Sequence, residues 1–488
     1  MNIVDPILFQ CRQQPPVAAI CVPGADNALI SYRRLALFIH SIGRRLASTG
    51  LRPGQLVAVN IEDQIFHIAM LLALARLGMA SVSVRGAARA PFPIDGFITD
   101  KTLPAGVTDR VILANVSWTE GDGIPVDAPP VRPDDLCRVI LTSGTTGEPK
   151  GVPISHRLFA DRIARHTTLY GARAADCRRI YSDMPITTSL GFQFLLGTLW
   201  RGGTYSLPGD SFENTLKAME QYRTQCVLAP PSGLELLLRW FEATPAYQSN
   251  LEVVLTSGDI LPQALSRRVR ARLCSHLISI YGSTEAATVA SAPAHAIDRI
   301  PGAVGYLAPG VRAQIVDRDG VVLPPGREGL LRIHSEFAVD RYLGEPSSSE
   351  RTFRDGWYQP GDFATLDTEG LLVITGRDNT VLNIGGDKVS PDVIEAAVAA
   401  FPGIAEVAVT SLANSLGVHE VVAVIVCNGE IDAEALGRYC TAHLSPQFVP
   451  THFVMADRLP RNDMGKIERH QLAEGLRAAR SRATASAT

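Results

Sequence analysis

Along the first part of the chain, hydrophobic positions switch between two periods. Residues 32–48 carry apolar side chains at helical spacing, and 55–60 reads as a short strand. Residues 65–77 are apolar on every face of a helix, which predicts a buried one. Such alternation predicts layered α/β structure with parallel strands. From about 300 to 375 the pattern changes to short β-prone runs at 313–317, 330–334 and 371–375. Pro309-Gly310, Asp319-Gly320, Pro325-Gly326 and Glu369-Gly370 punctuate them, which predicts turn-rich antiparallel strands.

Beyond Gly376 a compact unit begins. Ser390-Pro391 is a helix start, and Val393, Ile394, Ala397, Val398 and Phe401 form one apolar stripe before Pro402-Gly403 stops it. Strands at 406–410 and 421–427, a helix at 432–444 and a strand at 452–455 complete a small domain. The Ala-, Arg- and Ser-rich end, 477–488, is expected to be a loose tail.

Composition narrows the class. At 488 residues the chain exceeds one compact core, and about two to four domains are expected. Its 46 basic and 49 acidic residues leave a net charge of −3, which gives nucleic acid or an anionic membrane no electrostatic hold. Eight cysteines without CxxC spacing read as reduced core residues. The start Met1-Asn-Ile-Val-Asp lacks the pattern of a signal peptide, and the longest apolar stretch, 68–80, is broken by Arg76 and too short to span a bilayer. A cytoplasmic protein is expected. Only five basic residues are lysine: Lys101, Lys150, Lys217, Lys388 and Lys466. With surface charge supplied by arginine, each lysine is a candidate for a compact ammonium in a specific task.

The densest chemistry lies in Leu141-Thr-Ser-Gly-Thr-Thr-Gly-Glu-Pro-Lys-Gly151. Four hydroxyls (Thr142, Ser143, Thr145, Thr146) and two glycines (Gly144, Gly147) fill six positions after a strand, and Lys150 follows. Glycines let the backbone turn close to a ligand, and clustered N–H and O–H donors cradle phosphate oxygens. The Walker register, Gly-x4-Gly-Lys-Ser/Thr, is absent. Farther on, Tyr281-Gly-Ser-Thr-Glu285 sets a hydroxyl beside a carboxylate, a natural Mg²⁺ ligand next to a triphosphate. Trp357-Tyr-Gln-Pro-Gly-Asp362 puts an acid after a tight turn, suited to ribose hydroxyls. Gly376-Arg377-Asp378-Asn379, Asn383-Ile-Gly-Gly-Asp-Lys388 and Leu459-Pro-Arg-Asn-Asp-Met-Gly-Lys466 complete the set.

These motifs, in this order over about 140–470, resemble those of the adenylate-forming superfamily, in its acyl- and aryl-CoA synthetase branch. The resemblance implies a large N-terminal domain (1–378) of layered α/β subdomains plus a β-barrel-like subdomain, and a small mobile C-terminal α+β domain (379–488). It implies ATP, Mg²⁺ and coenzyme A as reactants, with Thr142, Ser143, Gly144, Thr145, Thr146, Gly147 and Lys150 on the phosphates. Tyr281 and Gly282 line the adenine, with Gly258 and Asp259 also at the nucleotide; Thr284 meets the α-phosphate and Glu285 holds the metal. Asp362 and Arg377 take the ribose. Thr145, Glu285 and Lys466 are the implied catalytic residues, and Lys466 bridges substrate carboxylate and α-phosphate, where a preset donor is worth roughly 3–4 kcal/mol. Gly385, Gly386 and Lys388 meet CoA, and the hinge falls on Asp378 or Asn379.

Three positions depart from the pattern. Ser279 stands where the family often has Asn or Gln, and Val339-Asp-Arg341 lacks the usual glycine before Tyr342. Thr188, in the gate segment 185–191, replaces a frequent His or aromatic. With no aspartate at 186–192 and with Ala286, Ala287 and Val289 in the pocket, a hydrophobic monocarboxylic acid is expected, aliphatic or aromatic. The thiol acceptor is CoA or, alternatively, a carrier protein's phosphopantetheine.

Overall fold

A computed structural model of the chain describes all residues except 25–27, 85–89, 102–109, 144–148, 245–248, 378–381, 385–386, 390, 428, 430, 461–466, 468 and 486–488. At 143, 377, 387, 388, 392, 470 and 481–485 it describes the backbone alone.

Two sheets share one core. The smaller runs Val111–Leu113, Gly96–Thr99, Leu56–Asn60, Ala80–Ser83, Leu136–Ser143, Pro149–Ser155. Its first five strands are parallel, and the last two form an antiparallel hairpin. In the strand Leu56–Asn60, Val57 and Val59 face the main core while Leu56 and Ala58 face a second cluster with Phe97 and Val139. That alternation is the period-two pattern of a strand covered on both faces.

The helix Gln64–Arg76 starts on Asp63, whose carboxylate accepts the Phe66 N–H at 2.7 Å, and buries every residue from Phe66 to Ala75. It packs with Ser189–Trp200 and the inner stripe of Tyr32–Ser48, so one apolar core reaches strands of both sheets. Ser31 caps the last of these helices.

The larger sheet has fifteen strands among the described residues. Thr204–Ser206, Arg179–Ser182, Cys226–Ala229, Val253–Thr256 and Leu277–Ser283 run parallel. From Leu277–Ser283 outward the sheet turns antiparallel through Ala287–Pro293, Ala303–Leu307, Leu371–Arg377, Asp362–Leu366 and Gly329–Ser335. The β-prone stretch is therefore antiparallel, as its turns predict. Among the described residues it does not close into a barrel, because it continues the large sheet edge to edge.

The C-terminal unit folds around its own core. Strands Ile404–Ala413, His419–Cys427 and His452–Met455 pack against the helices Pro391–Ala399 and Ala433–His443. The end of the chain differs from expectation: residues 469–485 are helical, not loose. Leu472, Ala473 and Leu476 lie on one helix face against Leu412, Val422 and Val424. Alanine and arginine are good helix formers, and that stripe supplies the packing a short helix needs.

All eight cysteines are free thiols. No helix among the described residues is long and apolar enough to cross a membrane.

Candidate active site

The phosphate-loop motif is a hairpin tip. Its arms pair Thr142 with Lys150 and Ser143 with Pro149, and residues 144–148 between them lie outside the described residues, Gly144, Thr145, Thr146 and Gly147 included. Lys150 is buried, whereas Lys101 and Lys217 sit in exposed ion pairs with Glu62 and Glu213. Burial holds the Lys150 ammonium below its ordinary range, while Glu285 and Glu345 pull it up. Its Nζ lies 4.9 Å from the ring centre of Tyr342. Gly151 has no room for a β-carbon: Phe92 fills that space, and the Gly151 carbonyl accepts the Leu343 N–H at 2.8 Å.

The second motif closes the end of the strand Leu277–Ser283. A bulge between Tyr281 and Gly282 brings Gly282 against the Ala287 carbonyl, where no side chain fits. Thr284 and Glu285 form the turn into Ala287–Pro293. Ala287 takes φ +60°, a left-handed conformation costly for a residue with a β-carbon. Glu285 is 6% exposed, and its Oε1 accepts the Tyr342 hydroxyl at 2.9 Å. Burial and that carboxylate push the Tyr342 phenol upward, so it remains a donor. Glu285 makes no ion pair and belongs to no cluster of three or more metal-ligating side chains among the described residues; a single carboxylate of this kind suits Mg²⁺, which takes its other oxygens from phosphates and water.

Distant segments meet at Tyr281. Its hydroxyl donates to Asp362 Oδ2 at 2.6 Å, and Asp362 is buried at the start of Asp362–Leu366. Arg377, whose backbone alone is described, stands opposite Asp362 in the strand register. Gly258 (φ +98°) and Asp259 follow the strand Val253–Thr256. Both are met by Asn383 of the C-terminal unit, whose Nδ2 donates to the Gly258 carbonyl at 2.8 Å and to Asp259 Oδ1 at 3.3 Å. Lys388 lies on the strand Asp387–Val389 with its backbone alone described; Gly385, Gly386, Lys466, Asp378 and Asn379 lie outside the described residues.

At the gate, Thr188 caps the helix Ser189–Trp200. Its hydroxyl accepts the Gly191 N–H at 3.1 Å and donates to the Pro185 carbonyl at 2.7 Å. The small gate read from the sequence is thus also a helix start. Ala286 and Ala287 are buried directly after Glu285, where the turn passes into the strand Ala287–Pro293.

Sequence reasoning missed two buried arginines. Arg162, 1% exposed on the helix His156–Ala164, donates to the carbonyls of Thr284, Glu285 and Phe337. Arg138, on the phosphate-hairpin strand, donates to Ser83 Oγ at 2.9 Å and the Ile186 carbonyl at 3.3 Å, and lies over the Phe192 ring. The available signal was an arginine at an apolar stripe position: Arg162 follows His156 and Phe159 on one buried face.

The parallel sheets, the hydroxyl-rich hairpin and the Tyr281–Asp362 junction define a nucleotide-handling enzyme of two unequal domains. The chain belongs to the AMP-binding enzyme family, whose profile matches residues 98–343, and the profile of the family's C-terminal domain matches 393–466. It is 28% identical to a 4-chlorobenzoate–CoA ligase of Arthrobacter sp., over 96% of this chain and 94% of the relative. It is 29% identical to an indoleacetate–CoA ligase of Aromatoleum aromaticum, over 94% and 95%. Among solved structures, the amide bond synthetase McbA of Marinactinospora thermotolerans superposes with a TM-score of 0.79 at 23% identity, covering 97% of this chain and 99% of that one.

Proposed function

We propose that the chain is an ATP-dependent, AMP-forming acid–CoA ligase acting on a hydrophobic monocarboxylic acid. The observation that carries the reading is the convergence of segments far apart in sequence. Tyr281 is joined to Asp362 through a 2.6 Å hydrogen bond, and Glu285 is joined through Tyr342 to the phosphate hairpin's Lys150. The relatives' aromatic acids favour an aryl or arylacetic substrate over an aliphatic one.

In the first half-reaction a substrate carboxylate oxygen attacks the ATP α-phosphorus, the bond to the bridging oxygen of the β-phosphate breaks, and pyrophosphate leaves with that electron pair. The hydroxyls of 142–146 and Lys150 hold the phosphates, Thr284 the α-phosphate, Tyr281 the adenine, with Gly258 and Asp259 beside it, and Asp362 with Arg377 the ribose. Lys466 draws the two anions together. A magnesium ion, when bound, neutralises phosphate charge, and Glu285 is the residue that would hold it. In the second half-reaction the CoA thiolate attacks the acyl carbon and AMP departs. Gly385, Gly386 and Lys388 would line the thiol's path. Placement and electrostatics supply most of the catalysis. Residues 379–488 act as the moving unit, with the pivot at Asp378 or Asn379. Free thiols and the reactants fit a cytoplasmic enzyme.

The test is acid-dependent pyrophosphate exchange across benzoates, arylacetates and fatty acids, followed by thioester formation with CoA or a carrier protein. Lys466→Ala should abolish exchange while ATP still binds. Undiminished exchange in that variant refutes the role of Lys466, and thioester formed only on a carrier refutes CoA as the acceptor.

A further inference from the structure

Arg162 lies on the helix His156–Ala164 that follows the phosphate hairpin, and its guanidinium reaches groups far along the chain. Nε and Nη2 donate to the Phe337 carbonyl at 3.0 and 2.7 Å. Nη1 donates to the Thr284 carbonyl at 3.1 Å and Nη2 to the Glu285 carbonyl at 3.1 Å. Nη1 also lies 3.4 Å from Ser189 Oγ at the start of the gate helix. No carboxylate within ion-pair distance neutralises this charge among the described residues. A buried guanidinium met only by neutral groups is expensive, so its position needs a reason. Burial works against its charge and the nearby Glu285 carboxylate works for it.

The segment 337–343 supplies the other half. Its Val339 N–H donates to the Glu285 carbonyl at 2.9 Å, and its Tyr342 hydroxyl fixes Glu285 Oε1 at 2.9 Å. Leu343 N–H is bonded to Gly151, and the Tyr342 ring underlies Lys150. Backbone and side chain of Glu285 are therefore gripped separately. Arg162 and Val339 hold the peptide, and Tyr342 holds one carboxylate oxygen. The phosphate hairpin is tied to the same clamp.

We propose that Arg162 and Tyr342 are positioning residues that set the Glu285 carboxylate for a metal ion that it would hold when ATP is bound. The inference rests on the reading of Glu285 as the metal-holding residue. Arg162 touches neither nucleotide nor metal; it acts through the turn 284–285. Tyr342 orients Oε1 and ties the carboxylate to Lys150 across its ring.

The experiment uses the full chain with ATP and Mn²⁺ as the probe, reading bound manganese by electron paramagnetic resonance and ATP affinity separately in EDTA. Partners that orient a metal ligand typically change metal affinity about 10–100-fold when removed. Tyr342→Phe keeps the ring under Lys150 and should weaken Mn²⁺ binding to the ATP complex by roughly ten-fold or more, with metal-free ATP affinity within about two-fold. Arg162→Lys keeps the charge but loses the fork, and should move Mn²⁺ affinity in the same direction. Should Arg162→Lys fail to fold, Tyr342→Phe decides alone. Glu285→Gln separates the two readings. If Glu285→Gln weakens Mn²⁺ binding and Tyr342→Phe does not, the clamp is wrong and the metal site stands. If Glu285→Gln leaves Mn²⁺ binding intact, the metal assignment fails and the clamp with it. Equal losses of ATP affinity with and without metal in Tyr342→Phe would also overturn the proposal.

Discussion

Three histidines are buried in the N-terminal core without charge, and they make stability fall as the solution is acidified. His67 Nε2 is 2.9 Å from Ser83 Oγ, His156 Nδ1 accepts the Ile3 N–H at 3.3 Å, and His166 stacks on Phe194 with ring centres 4.7 Å apart. Burial pushes His67 and His166 down to about 3 and His156 down to about 4. Arg138 lowers His67 further, and Arg201 and Arg165 do the same to His166. A folded value below the unfolded one, about 6.5, means that the unfolded chain takes up protons first. Stability is thus unaffected above about pH 7 and declines as pH falls through 6.5 toward the folded values. At pH 5.5 the cost is about 1.4 kcal/mol per histidine, or about 4 kcal/mol for the three, against a typical total of about 5–15 kcal/mol. A pH of 5.5 stays above the range where most carboxylates titrate, so the window isolates the imidazoles. The assay is urea unfolding at pH 7.5 and 5.5, followed by hydrogen exchange in the helix Gln64–Arg76, because a chain with several cooperative units lacks one global midpoint. His166→Phe keeps the stacked ring and should remove about one third of the loss. A loss below about 1 kcal/mol in the parent chain, or no change in His166→Phe, would refute the neutral burial of these side chains.

Other expectations follow from the same geometry. Arg138 is 1% exposed with Nε and Nη1 unpartnered among the described residues, so Arg138→Met should be neutral or stabilising by up to about 3 kcal/mol in thermal unfolding. A clear loss of stability would mean that a counter-charge holds it. Gly191→Ala would put a β-carbon 2.7 Å from the Met184 carbonyl and closer still to that of Pro185. Overpacking of this kind costs about 1–3 kcal/mol, so acid-dependent exchange should need roughly ten-fold more acid while ATP binding is kept. Normal acid kinetics would remove 185–191 from the acid pocket. Leu416 and Val418 are buried with Leu237 and Leu265, so Leu416→Asp should speed hydrogen exchange in the helix Pro231–Ala243. Unchanged exchange would show that this contact does not persist in solution.

What the sequence made legible follows from how local each signal is. The helix Tyr32–Ser48 and the strand His452–Met455 appear at the expected residues, because their periodicity and their stop signals lie within the segments themselves. The hydroxyl-rich motif 141–151 stood out for the same reason, since consecutive residues carry it, and its arms pair as a hairpin. Arg162 and Arg138 were not, because their roles depend on carbonyls and rings up to 175 residues away. Tyr342 was noted only as a motif lacking its glycine; in space it is the link between Lys150 and Glu285. Residues 477–485 were misread because their composition suits either a loose end or a helix, and what decides is that they continue a helix anchored by Ala473 and Leu476 on Leu412 and Val422. The β-rich stretch showed its turns but not its partner, since whether strands close or extend a sheet is set by the neighbour they find.

The attachment of the C-terminal unit bears on the mechanism more than its internal fold does. At one point Asn383 bonds the Gly258 carbonyl and Asp259, both proposed above to lie at the nucleotide. At another the hairpin turn 414–418 inserts between the helices Pro231–Ala243 and Gln263–Arg272, with Asn414 Nδ2 on both oxygens of the buried Glu235 at 3.1 and 2.9 Å. Polar contacts of this kind exchange readily for water, and two buried apolar side chains contribute about 3–6 kcal/mol when covered. That scale is comparable with what binding or releasing a ligand supplies. Release of a unit held this way takes Leu416 and Val418 out of the cluster they share with Leu237 and Leu265, while the strands of the C-terminal core stay paired with one another. If Lys466 moves relative to a bound nucleotide, as proposed above, the Asn383 and Asn414 contacts and the burial of Leu416 and Val418 must be given up. The nucleotide side of that exchange is direct: a ligand touching Gly258 or Asp259 competes for the atoms Asn383 uses.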